Sequence, residues 1–137
     1  MAGKCIFCKI VQGLAPKQSL YETRTILAFL DNNPVNPGHV LVIPKEHFST
    51  VFDVPPALGA DVLEAVQIVG KAVMLATKAD GLNVFQNNFR TAGQRVDHAH
   101  WHLVPRFEGD GHRLWPQRPY DSQEVMERMA QAIREYL

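Results

Sequence analysis

The apolar run His39-Val40-Leu41-Val42-Ile43 is stopped by Pro44 and follows Asp31-Asn32-Asn33-Pro34-Val35-Asn36-Pro37-Gly38, a stretch dense in turn-formers. A run that short between breakers reads as a buried strand entered from a loop. The same punctuation governs much of the chain. Leu20 to Leu30 carries β-favouring Tyr21, Thr23, Thr25, Ile26 and Phe29 and reads as two short strands around a turn. Leu82 to Asn88 and Val96 to Arg106 read as strands separated by a turn at Gly93. Helical spacing appears after Pro55-Pro56, where Val62, Leu63, Val66, Val69, Val73 and Met74 recur near the 3.6-residue period. Pro56 suits its first turn, and Asp80-Gly81 marks its end. Cys5 to Gly13 reads as a brief helix stopped by Gly13. Ser122 to Leu137 reads as a C-terminal helix with Ser122 as N-cap and Val125, Met126, Met129 and Ile133 on one face. Strands joined by short turns favour an α+β domain: an antiparallel sheet, one long helix, a short N-terminal helix and a C-terminal helix. No repeat or low-complexity linker divides the chain, so residues 1–137 are taken as one domain.

Composition narrows the partners. The 137 residues hold 14 Lys+Arg against 14 Asp+Glu, so 14 − 14 = 0. That balance excludes binding of a nucleic-acid backbone, or of a membrane surface, through bulk positive charge. The most apolar long segment, Val62 to Ala76, is interrupted by Glu64, Gln67 and Lys71 and is no membrane span. Met1 to Cys5 lacks the apolar stretch of a secretory signal, and two cysteines, Cys5 and Cys8, make no disulfide framework. The expectation is a soluble, cytoplasmic protein with neither nucleic-acid nor membrane partners.

Histidine is the unusual residue. Three of the six fall within five positions, His98-Ala99-His100-Trp101-His102. On a strand, positions i, i+2 and i+4 share a face, which would put the three imidazoles in a row and Ala99, Trp101 and Leu103 opposite. Crowded imidazoles each need a hydrogen-bond or metal partner. Two chemistries fit: three neutral rings binding a transition metal, or one ring acting as nucleophile while its neighbours position an anionic substrate.

The block His98-Ala99-His100-Trp101-His102-Leu103-Val104 resembles the His-φ-His-φ-His-φ-φ signature of the histidine triad family of nucleotide hydrolases and transferases, φ being apolar. The flanks agree: Asn87-Asn88, Ala92-Gly93-Gln94 and Pro105-Arg106. So does an earlier block, Ala28-Phe29-Leu30-Asp31 with Pro34, Gly38-His39, Leu41-Val42-Ile43-Pro44-Lys45 and His47. Cys5-Ile6-Phe7-Cys8-Lys9-Ile10 is similar to the opening of many bacterial members, and the whole pattern is nearest the small, Hint-like bacterial branch. The likeness spans about residues 5–107 and leaves 108–137 as an extension.

The resemblance implies catalysis at the α-phosphorus of a purine nucleoside phosphoramidate or similar nucleotidyl donor. His100 would be the nucleophile, forming a nucleotidyl-histidine intermediate that water hydrolyses. His102 would meet the transferring phosphate with charge or a hydrogen bond, and Gln94 would meet the phosphate or leaving group. The Gly93 N–H would help hold the anion. Asp31 would accept from ribose hydroxyls, the competing role being a cap on its own turn. Phe29 and Ile10 are candidates for the base pocket, with core packing as the alternative; Asn87 would lie near the phosphates or merely form a turn. Two other readings stay open: a dinucleoside polyphosphate hydrolase, and a nucleotide-binding partner protein.

Cys5-x-x-Cys8 is a metal-knuckle spacing, and also a redox spacing, although no βαβ unit stands beside it. In the bacterial members it resembles, these cysteines join the histidine after Pro-Lys-x and the first triad histidine. Here those are Cys5, Cys8, His47 and His98, a closed set for structural Zn²⁺, with no catalytic metal expected. The family also implies a homodimer with sheets joined across subunits, and Val69 and Val73 are the residues offered for that contact. Two positions depart from the pattern. Arg95 replaces a small hydroxyl residue, where it would bind a longer polyphosphate or face solvent, and Phe89 stands where glycine is usual. His39 is read as structural at a strand start, and His112 carries no assigned role.

Overall fold

A computed structural model describes residues 2–137. Its first α-helix, α1 (Ile6–Val11), is capped by Cys5, which has extended backbone and whose sulfur accepts from the Cys8 N–H. The short helix buries Phe7, Cys8 and Ile10. Five strands follow: β1 (Ser19–Glu22), β2 (Ile26–Leu30), β3 (Val40–Pro44), β4 (Gly81–Gln86) and β5 (Trp101–Arg106). They form one sheet in the order β1-β2-β3-β5-β4, every neighbouring pair antiparallel. The long helix α2 (Gly59–Thr77) connects β3 to β4 and ends where Lys78 turns left-handed at φ 56°. The expected α+β architecture is therefore the observed one.

Alternation along the strands divides the core in two. Ile26, Ala28, Val40, Val42 and Leu103 face α2 and pack on Val62, Ala65, Val69 and Val73. Leu27, Phe29, Leu41 and Ile43 face the other way and pack on Phe7 and Ile10 of α1. Each such apolar side chain contributes roughly 1.5–3 kcal/mol when fully buried, so both helices are firmly seated. Trp101 packs with the α2 side, away from the histidines, as its alternation predicts.

Several expectations shift. Val69 and Val73 are 4% and 7% exposed and lie in the core against the sheet, so they are not available for a contact between subunits. The large apolar residues α2 leaves exposed are Leu63, Ile68 and Leu75. The predicted strand from Val96 begins only at Trp101, because residues 96–100 turn inward and bond elsewhere: the Ala99 N–H donates to the Phe48 carbonyl. The predicted strand from Leu82 ends at Gln86. The C-terminal helix, α3 (Gln123–Arg134), has Ser122 as its N-cap, the hydroxyl accepting from Val125 N–H at 3.2 Å. Its apolar face, however, is not packed on the core: Met126, Met129 and Ile133 are all exposed.

Candidate active site and neighbouring metal centre

The segment 98–102 emerges from the turn after Gly93 and enters the middle of the sheet, with β3 on one side and β4 on the other. Leu41 and Phe85 are the register partners of His102, which places that ring on the α1 side. The three histidines then part company according to the partner each one meets.

The His98 Nε2 lies 2.8 Å from the Pro44 carbonyl. A carbonyl only accepts, so Nε2 carries the proton and Nδ1 keeps a lone pair. That Nδ1 faces Cys5 Sγ at 3.5 Å and Cys8 Sγ at 3.6 Å, and His47 Nδ1 lies 3.3 Å from Cys8 Sγ. All four ligand atoms fall within 4.8 Å of one another. Zinc bonds of about 2.3 Å to sulfur and about 2.1 Å to nitrogen give S···N tetrahedral edges of about 3.6 Å, which these spacings match. Two thiols and two imidazoles, with no fifth donor grouped with them among the described residues, fit a closed structural site. Burial pushes the Cys8 thiol up to about 11, with Cys5 adding to the rise. Burial also lowers His98 to about 4, keeping its ring neutral and ready to ligate.

His100 makes the opposite connection. Its Nδ1 donates to the His98 carbonyl at 2.7 Å, which leaves a lone pair on Nε2. The ring is 5% exposed, edge-on to Phe7 at 5.1 Å, and burial holds its pKa below the usual histidine value.

His102 is fixed by a third arrangement. The Val35 N–H donates to His39 Nδ1 at 3.1 Å, so the His39 proton sits on Nε2. That Nε2–H lies 2.9 Å from His102 Nδ1, and the remaining His102 Nε2 therefore bears a proton in turn. The His102 ring stacks on Phe85 at 4.5 Å and 11°, and burial pushes its pKa down to about 3. It is a neutral hydrogen-bond donor. Of the two contributions expected of His102, charge and a hydrogen bond, the geometry favours the second.

His39, His100 and His102 line a cavity of about 840 Å³ together with Ile10, Phe29, Asp31, Gly93 and Arg95. Phe29 and Ile10 serve cavity and core at once, being 3% and 7% exposed. Asp31 Oδ1 accepts from Asn33 N–H at 2.8 Å, capping the turn, while Oδ2 lies 3.6 Å from His39 Nε2, and the residue lines the cavity.

The loop after β4 is more committed than expected. Gly93 has φ +98°, and a Cβ there would come within 3.2 Å of the Asn87 amide nitrogen, so both conformation and space require glycine. Its N–H donates to the Arg90 carbonyl at 2.9 Å, and the Gln94 N–H donates to Phe89 at 3.1 Å. The expected anion contact from the Gly93 N–H is thus replaced by a wall without a side chain. Gln94 is 2% exposed, is absent from the cavity wall, and spends its amide on Ser49 O, Val96 O and the Phe89 N–H at 2.6–3.1 Å. That last bond holds Phe89 at φ 72°, the glycine-like conformation its position calls for. Asn87 sits beneath Gly93 rather than in the cavity wall.

Sequence reasoning missed His39, Phe85 and Phe7 as members of the site. The signal for His39 was register: it lies two residues before Leu41, the partner of His102, and so on the same face.

Fold and site together define an α+β protein that places the free Nε2 of one uncharged imidazole and the N–H of another in one cavity beside a Cys₂His₂ cluster. The HIT domain model matches residues 12–109, and the chain belongs to that family. An adenosine 5'-monophosphoramidase of Schizosaccharomyces pombe is 43% identical over 124 residues, covering 88% of this chain and 90% of that protein. An adenylylsulfatase of Arabidopsis thaliana is 42% identical over 106 residues, covering 77% of this chain but only 54% of the longer relative. Among solved structures, a Zn-bound histidine triad family protein of Mycobacterium smegmatis is similar, with TM-score 0.76 and 36% identity over 99% of this chain and 97% of that one.

Proposed function

We propose that the chain is a nucleotide hydrolase/transferase that cleaves at the α-phosphorus of a purine nucleoside phosphoramidate or similar nucleotidyl donor. One observation carries this reading: His100 is locked through Nδ1 onto the His98 carbonyl at 2.7 Å, with its free Nε2 belonging to a ring that lines the cavity. The Nε2 lone pair attacks phosphorus; the bond to the leaving group breaks and its electron pair departs with that group. Water then attacks the nucleotidyl-histidine, the N–P bond breaks, its electrons return to Nε2 and the water's proton passes to solvent, while a departing amine takes its proton from solvent. The His102 Nε2–H donates to a phosphate oxygen as charge builds there, held in that tautomer by His39. Asp31 Oδ2 takes the ribose hydroxyls, and Phe29 and Ile10 form the apolar seat of the base. Gln94 acts as a positioning residue that braces the loop from within.

Cys5, Cys8, His47 and His98 would hold structural Zn²⁺, which supplies cross-linking rather than Lewis acidity because no coordination position stays open. The link to chemistry is His98 itself, whose side chain joins the cluster while its carbonyl holds the nucleophile. β4 is an edge strand of the sheet, and a homodimer pairing two such edges is part of this reading. No helix among the described residues is long and apolar enough to cross a membrane, in keeping with a cytoplasmic enzyme on a small substrate.

The test compares wild type with His100→Ala on adenosine 5'-monophosphoramidate and on a diadenosine polyphosphate, with mass-spectrometric trapping of an adenylylated His100. Turnover that depends on His100, with the adduct on that residue, is expected. Absence of His100-dependent turnover of either substrate overturns the assignment and leaves a nucleotide-binding protein.

A further inference from the structure

We infer that Arg95 forms a leaving-group subsite that selects nucleotidyl donors whose leaving group is a weakly basic oxyanion, such as sulfate or phosphate, over donors that release an amine. The inference rests on the reading of His100 as nucleophile and narrows the substrate class within it.

The charged side chains in the cavity wall are Lys17, Asp31 and Arg95. Lys17 is tied to the Ile10 carbonyl at 3.3 Å, and Asp31 caps its own turn. Arg95 is exposed, and among the described residues its guanidinium has neither ion pair nor hydrogen bond, although Arg90 and Arg106 are paired with Asp97 and Asp110. An unpaired arginine on open surface is ordinary, but this one shares a concave wall with the nucleophile.

Its backbone is firmly held. The Arg90 guanidinium donates to the Arg95 carbonyl at 3.1 Å, and the buried Gln94 side chain ties the preceding residue to Ser49 and Val96. The same loop offers no N–H from Gly93 or Gln94 to an anion, since both are committed within it. A loop built this way presents one long cation and no competing amide donors at those positions.

Guanidinium chemistry then chooses the substrate. Arginine keeps its charge at any working pH, so it cannot protonate a departing amine, but its planar fork matches the oxygens of sulfate or phosphate. When His100 Nε2 bonds to phosphorus, the bridging P–O bond breaks and the electron pair moves onto the leaving oxygen. A sulfate or phosphate accepts that pair without a proton, and the developing charge is met by Arg95. An amine leaving group needs a proton that Arg95 does not supply.

The experiment measures kcat/KM for adenosine 5'-phosphosulfate and adenosine 5'-monophosphoramidate, which share the nucleotide and differ in the leaving group. Wild type, Arg95→Ala, Arg95→Lys and His100→Ala are compared, with thermal melting to check that each is folded. In Arg95→Ala the sulfate-to-amide ratio of kcat/KM is expected to fall by about 10- to 100-fold, and Arg95→Lys to recover part of it. A ratio that stays within about threefold of wild type overturns the subsite, as does wild type turning over neither donor. Should the ratio fall in Arg95→Ala while His100→Ala keeps full turnover, the subsite stands and the nucleophile assignment fails instead.

Discussion

Two histidine clusters sit back to back on one five-residue segment, and they differ mainly in which ring nitrogen the backbone occupies. In His98 a carbonyl takes Nε2 and turns Nδ1 toward two sulfurs. In His100 a carbonyl takes Nδ1 and releases Nε2. In His102, Nδ1 accepts a hydrogen bond from a second imidazole, and Nε2 is left as the donor. The ligand, nucleophile and donor of the proposed mechanism would thus be one residue type in two tautomers and three settings. The lesson is that the partner each ring meets, a backbone carbonyl for His98 and His100 and the His39 imidazole for His102, sets neighbouring histidines apart.

The largest effect that separates the clusters is on turnover. His100→Ala should lower kcat/KM by roughly 10⁴-fold, equivalent to about 5.5 kcal/mol, while metal content measured by atomic emission stays near one equivalent. Loss of metal together with activity would break the division. Cys8→Ala tests the other side: stoichiometric zinc should be lost and stability should fall by about 3–4 kcal/mol, read as a drop in melting temperature. Unchanged melting would remove the structural metal.

Acid sharpens the contrast. Burial holds His102 at about 3 and lowers His39 and His100, whereas an unfolded histidine titrates near ~6.5. These folded values are depressed, so the unfolded chain takes up protons first; the stability is complete above about pH 6.5 and declines as pH falls toward 3. For His102 alone the loss between pH 6.5 and 5 is about 2 kcal/mol, measurable as a falling urea midpoint in metal-stripped protein. A flat midpoint over that range would mean that the rings protonate without penalty. The smallest expected effect is at His39. His39→Phe should lower kcat about tenfold with little change in KM, because it removes the donor that sets the His102 tautomer; His39→Gln, which still offers an N–H, should recover part.

Much of the fold was legible in local sequence. The Pro44 stop, the turn at residues 31–38 and the spacing from Val62 to Met74 each correspond to an observed boundary or buried face. The C-terminal helix shows the limit: its N-cap and apolar stripe were readable, but what the stripe packs against was not, since periodicity records a face and not a partner. The same limit explains Val69 and Val73, whose spacing suits a core or an interface equally. In the site, alternation pointed to the triad, while the family resemblance pointed to the cysteine–histidine set. Gln94 and the Gly93 N–H were misread because their partners, Ser49 and Arg90, are set by loop closure that no short-range pattern encodes. His39 was undervalued for a similar reason: its importance comes from a pairing across 63 positions of chain.

The strand order β1-β2-β3-β5-β4 carries a consequence for biosynthesis. A growing chain releases β1 to β4 from the ribosome before β5, yet β3 and β4 share no ladder and are joined only through β5. A nascent chain therefore completes its sheet and brings its imidazoles together in one event, and translation that halts before residue 101 leaves a three-stranded fragment, a lone β4 and no assembled array of imidazoles.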